Sequence, residues 1–169
     1  MVAGDMPLAA VLQPYDQRVS LDQGAADMPC LLVPPDDLVA LCTQLRDDPS
    51  LRFDFLSDIC AVDIFPKTPR FMLVYHLFSV THKWRLRLKC CLDDPAIAPT
   101  VIPVWTTANW HEREAYDMYG IHFDGHPDLR RIYMWDGFDG YPMRRDFPLR
   151  GYKDDYNPLG VEPVAEGSE

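Results

Sequence analysis

The sequence predicts an α/β fold of the α+β type, a small and mostly antiparallel sheet with packed helices, followed by a long irregular C-terminal arm. Three observations carry this expectation. Three apolar, alternating segments follow one another between residues 53 and 92, two helical patterns flank them, and regular periodicity stops after residue 120 while aromatic residues continue. With 169 residues and 47% hydrophobic content the chain can bury one sizeable core. The expected divisions are an N-terminal segment over 1–27, a core domain over 28–120 and an extended partner-binding arm over 121–169.

After a polar start, the run 30–33 (CLLV) reads as a short strand stopped by Pro34 and Pro35. A helix follows, because Leu38, Leu41, Cys42 and Leu45 recur at i, i+3, i+4 and i+7, with Asp36 and Asp37 at the positive end of its dipole and Pro49 closing it. Strands are expected at about 53–64, 70–80 and 84–92, the last two joined by Thr81, His82 and Lys83. In the third strand Trp84, Leu86, Leu88 and Cys90 alternate with Arg85, Arg87 and Lys89, so one face carries three cations. That face is either solvated or a basic stripe turned to a partner.

A second helix is signalled around 110–119, with Asn109 as its cap, Glu112 completing a variant capping box, and Gly120 ending it. From Ile121 onward, eight aromatic residues from Phe123 to Tyr156 are interleaved with Arg130, Arg131, Arg144, Arg145 and Arg150. A disordered tail is poor in aromatics, since ordering it would cost entropy that nothing offsets. Tyr, Trp and Arg are also the residues enriched at interface hot spots. The segment therefore reads as an arm laid over a partner surface, with an irregular lobe folded back on its own sheet as the alternative.

Charge and cysteines exclude several classes. A net charge of −10 argues against nucleic-acid binding. The charge is uneven, with 11 acids against 3 bases in residues 1–66 and 10 against 13 in residues 67–153. The apolar runs are far shorter than a membrane-spanning helix requires, and the start lacks the pattern of a secretory signal, so a cytoplasmic protein reaching the membrane only through partners is expected. The five cysteines show no C-x-x-C spacing and read as reduced thiols.

No dinucleotide, P-loop, nucleophile-elbow or iron–sulfur spacing occurs. His111-Glu112 begins like H-E-x-x-H, but residue 115 is Ala, so the zincin pattern fails. His111 and Glu114 share a helix face, and a free-standing metalloenzyme using His111, Glu114, His122 and His126 is kept as an alternative. Three acids in one short helix, Glu112, Glu114 and Asp117, fit dipole and salt-bridge roles better than catalysis.

The run Glu112-Arg113-Glu114-x-x-Asp117-Met118-Tyr119, six residues, His126, three residues, then Arg130-x-Ile132-Tyr133 resembles the signature of the thirty-kilodalton subunit family of respiratory complex I, the C subunit in bacteria. The resemblance extends through residues 125–132 and 140–149, with Arg145 where Lys is more usual, and covers about 50–153. It implies a scaffold in the peripheral arm of proton-translocating NADH:quinone oxidoreductase, at the cytoplasmic face of the bacterial inner membrane. Catalysis would then belong to the complex. The chain itself would bind no cofactor, with FMN and iron–sulfur clusters in partner subunits. The expected partners are peripheral-arm subunits, chiefly the D-subunit family and neighbouring iron–sulfur subunits. Related hydrogenase, formate hydrogenlyase or ferredoxin-driven complexes are the second reading. By this resemblance Glu112, Arg113, Glu114, Asp117, His126, Arg130, Arg131, Arg144, Arg145 and Asp146 are docking residues.

Overall fold

The computed structural model describes residues 18–22, 24, 27–153 and 156–161. Most of the expected segment 1–27 and the end of the arm lie outside these residues. In chain order the elements are β1 (Ser20–Leu21), β2 (Cys30–Leu32), α1 (Pro35–Asp47), β3 (Phe55–Asp63), β4 (Phe71–Ser79), β5 (Trp84–Leu92), β6 (Ile97–Pro99), α2 (Ala108–Tyr119) and β7 (His122–Asp124).

The five-stranded sheet has the order β1-β2-β5-β4-β3. Its β3-β4-β5 meander is antiparallel, β2 joins β5 in parallel, and β1 pairs antiparallel with β2. Strand alternation turns Phe71, Leu73, Tyr75 and Leu77 of β4 and Leu86, Leu88 and Cys90 of β5 into the core. Helix α1 starts with Pro35 in its first turn, where the missing N–H removes nothing, and buries Leu38, Leu41, Cys42 and Leu45 against the same core. A two-stranded parallel pair, β6 with β7, completes it.

Three expectations change. Helix α2 begins at Ala108, its N-cap is Thr107 in helical backbone, and no side-chain cap bond forms. Asn109 therefore lies inside the helix, which grows directly out of a turn closed by Ala108 N–H donating to Trp105 O; Glu112 bonds elsewhere. The body does not stop at Gly120, because Ile121 and Phe123 are buried in the core and β7 pairs with β6. The basic stripe is partly neutralised from within: Arg87 pairs with Asp27 at 2.8 Å and Lys89 with Asp22 at 2.7 Å. All five cysteines are free, with Cys60 and Cys91 exposed on the outward sheet face and Cys30, Cys42 and Cys90 buried.

From Gly125 to Val161 the described residues contain no helix and no strand beyond a single bridge between Tyr152 and Val161. This arm is folded back on the body. At Gly120 the backbone is left-handed (φ 73°) and a Cβ would overlap the Tyr141 ring, so glycine is required both to end α2 and to let the arm pack there.

Candidate partner-docking site

Helix α2 turns two carboxylates inward. Glu112 is fully buried; its carboxylate receives the Thr100 hydroxyl at 2.6 Å and the Val101 N–H at 2.8 Å. His126, its side chain also fully buried, places Nε2 3.9 Å from Glu112 Oε2 and 3.4 Å from the Asn109 carbonyl, while Nδ1 accepts the Asp128 N–H at 3.0 Å. An accepting Nδ1 puts the proton of a neutral imidazole on Nε2. Burial pushes His126 down from its ordinary value and pushes Glu112 up to about 7, despite the bonds from Thr100 and Val101. Below about pH 7 Glu112 is thus protonated and able to donate to Thr100, and burial disfavours the charged form of His126 beside it, so the contact is not held as an ion pair.

This raised value has a sign. Between the ordinary carboxyl value near 4.5 and about 7, the folded state holds a proton that the unfolded chain has released. Stability from this group therefore falls as pH rises through that window, by about 3 kcal/mol, and is constant outside it. Glu112→Gln keeps the shape, accepts the Val101 N–H through its amide oxygen and donates its amide N–H to Thr100 Oγ1, as the protonated carboxyl does. It is expected to match the wild type near pH 4.5 and to exceed it at about pH 8, read as thermal midpoints. An equal offset at every pH would contradict the buried, protonated carboxyl.

Asp117, also fully buried, grips the arm's backbone. Its Oδ2 accepts N–H bonds from Ile132, Tyr133 and Met134 at 2.9, 2.7 and 3.0 Å, and its Oδ1 accepts from Arg131 at 3.0 Å. Burial alone would raise this carboxyl, but the three amides and the guanidinium outweigh it and hold it below its ordinary value. Arg131 also donates to Gly140 O and lies over the Phe138 and Tyr141 rings. Buried Arg113 donates to Arg130 O at 3.2 Å and covers the Trp110 ring.

A second grip holds the far end of the arm. Asp63, ending β3 on its core side, receives Arg70 through Nη2 at 2.9 Å and Nε at 3.2 Å, and the N–H groups of Phe65 and Arg145 at 2.9 Å each. Burial opposes its ionisation, but these four donors hold it at about 2. Arg70 reaches on to Asp94 at 2.9 Å and Asp146 at 2.8 Å. Arg144 donates to Tyr119 O at 2.6 Å and stacks over Phe71 and Tyr141.

Glu112, Arg113, Asp117, His126, Arg131 and Arg144 are thus engaged inside the chain. Glu114, Arg130, Arg145 and Asp146 have exposed side chains, although Arg130 meets Asp128, Asp146 meets Arg70, Arg145 Nη1 donates to Phe65 O at 3.4 Å, and Glu114 accepts the Tyr133 hydroxyl at 3.4 Å. Sequence reasoning missed Asp63, Arg70, Asp94 and Thr100. Asp63 could have been found, since β3 alternation puts it on the side of Ile59 and Ala61, and a core-facing acid needs a partner.

The metalloenzyme residues are scattered: His111 faces Asp58 at 3.2 Å, Glu114 faces Tyr133, His122 is exposed on β7 and His126 is buried beside Glu112. Among the described residues no three His, Cys, Asp or Glu side chains form a group that could hold a metal. No helix among them is long and apolar enough to cross a membrane.

Residues 31–153 match the profile of the family described as respiratory-chain NADH dehydrogenase, 30 Kd subunit. The chain is 56% identical over 163 residues to the NADH-quinone oxidoreductase C subunit 2 of Rhizobium meliloti (strain 1021), covering 95% of this chain and 90% of that one. It is 45% identical to the NADH-quinone oxidoreductase C subunit of Burkholderia multivorans (strain ATCC 17616 / 249), covering 86% and 81%. Among solved structures it superposes on a trypsin-resistant fragment of Nqo5 with a TM-score of 0.60 at 28% identity, covering 72% of this chain and 98% of the fragment. A chain of a membrane-bound sulfane sulfur reductase, an archaeal respiratory membrane complex, shares the fold with a TM-score of 0.69 at 24% identity, covering 84% of each.

Proposed function

The chain belongs to the respiratory-chain NADH dehydrogenase 30 Kd subunit family, and on that premise we propose that it is a docking subunit of the peripheral arm of a proton-translocating NADH:quinone oxidoreductase. Electron transfer from NADH to quinone is then the work of the complex. FMN and iron–sulfur clusters sit in neighbouring subunits, and this chain holds none. Its chief neighbour is of the D-subunit family, and its place is the cytoplasmic face of the bacterial inner membrane.

One observation carries this reading: the arm is fixed to the body through buried polar bonds while several of its large apolar side chains point outward. Half of the large hydrophobic residues exposed among the described residues fall between 133 and 161, including Tyr133 (61%), Leu149 (104%) and Leu159 (84%). A segment ordered by internal hydrogen bonds yet apolar on its surface has the composition of an interface awaiting its other half. Within the signature, Asp117, His126, Arg131 and Arg144 shape the arm. Glu114, Arg130, Arg145 and Asp146 are the part that meets the partner.

Arg145→Glu tests this, because the side chain is exposed while the bond to Asp63 uses the backbone N–H. Reversing a charge desolvated at an interface is expected to lower recovery of partner subunits from detergent-solubilised membranes by at least about tenfold. NADH:quinone reductase activity of the eluate should fall in parallel, with the circular dichroism of the isolated chain unchanged. Full recovery of partners would sink the assignment of Arg145. Hydrogenase subunits in place of flavoprotein would move the chain to a related complex.

A further inference from the structure

The outward face of the sheet carries a second feature, independent of the signature. Phe55 of β3 lies opposite Phe78 of β4, and Phe78 opposite Arg85 of β5, so two rings and a guanidinium form one row across three strands. With Met28, Asp58 and His76 they line a shallow hollow of about 440 Å³. Phe55 is 49% exposed there.

The row's charge is unbalanced in a specific way. Of the three cations on this face of β5, Arg87 and Lys89 are met by Asp27 and Asp22. Asp58 is occupied by His111 and by the Cys60 thiol. Arg85 pairs with no carboxylate among the described residues and rests over the Phe78 ring at 5.8 Å. That leaves a planar set of N–H donors beside an apolar floor. With no carboxylate of the described residues on Arg85, this row is a place where an acidic segment is attracted.

We propose that this hollow is a second docking surface, filled by a segment of another protein subunit that sets an apolar side chain on Phe55 and Phe78 and a carboxylate on Arg85. The assembly is taken from the subunit reading above, but the residues are separate from those of the arm. Burying Phe55 and Phe78 supplies the hydrophobic contribution, and the carboxylate fixes the register by a bidentate bond to Arg85.

The test uses the full chain assembled in cells, with a benzophenone amino acid at position 55 or, separately, at position 133 on the arm. The complex is isolated in mild detergent, irradiated and mapped by mass spectrometry. Position 55 is expected to yield an adduct to one peptide of a different subunit, with an Asp or Glu beside the attached apolar residue. Arg85→Glu should cut that yield by about tenfold or more, and changing the partner's acid to Lys should restore it. Adducts only to a second copy of this chain, a yield indifferent to Arg85→Glu, or no adduct from 55 while 133 reacts would overturn the second surface and leave the arm's docking intact. No adduct from either position would overturn both.

Discussion

Asp117→Ala is expected to free residues 131–134 from the body while the five-stranded sheet and the second grip at Arg144–Asp146 stay in place. The substitution leaves three arm N–H groups and the Arg131 guanidinium without their shared acceptor. Hydrogen bonds to a charged group contribute about 1.5–3 kcal/mol each, and they act here as one unit, so about 3–5 kcal/mol of the arm's attachment should be lost. Hydrogen exchange read by mass spectrometry should show the amides of 132–134 losing protection, with β4 and β5 unchanged. Protection retained at 132–134 would mean that ring packing alone holds the arm. Acid should mimic the variant: a carboxyl held below its ordinary value contributes fully above about pH 4 and loses that contribution as pH falls through its folded value.

Arg70→Met should act on the whole body. It strands Asp63, whose side chain is 1% exposed, and leaves Asp94 and Asp146 without their common cation. Breaking a buried pair by removing one partner costs about 3–5 kcal/mol. The pH dependence is the sharper readout. In the wild type Asp63 sits at about 2 against an ordinary 3.8, so its contribution of about 2 kcal/mol is present above pH 4 and lost towards pH 2. Without Arg70 the carboxyl keeps its burial and only the Phe65 and Arg145 N–H donors, so its value rises from about 2 and the variant should lose less stability on acidification than the wild type. Chemical denaturation between about pH 3 and 7 distinguishes the two slopes. Adding Asp63→Asn should recover much of the loss, because the uncompensated charge is then gone.

How much of this was legible in the sequence depends on how local its cause is. The stripe Leu38, Leu41, Cys42, Leu45 and the alternation in β5 are short-range patterns, and the structure buries those residues as the patterns require. The cap at Asn109 failed because the same Asn and Glu spacing also occurs inside a helix that starts earlier, where it forms no cap. Glu112 shares its face with Ala108 and Ala115, both buried, and that spacing was the signal that it points into the core. The arm shows the limit more generally. Its rings and arginines announce that they need burial and acceptors, but nothing local says whose. Asp63 lies some 80 residues before Arg145, and no periodicity links them. The signature residues could be recognised as a set, while their division into those that brace the arm and those left exposed needed the fold.

Through Oδ2, Asp117 grips peptide groups and not side chains, and this has a consequence for how the surface can change. Amides of Ile132, Tyr133 and Met134 are alike in every residue but proline, so the grip is indifferent to what those positions display. Their side chains can be exchanged to suit a different neighbour while the backbone stays where it is. Attachment and recognition are written in separate atoms, and a lineage can revise the second without loosening the first.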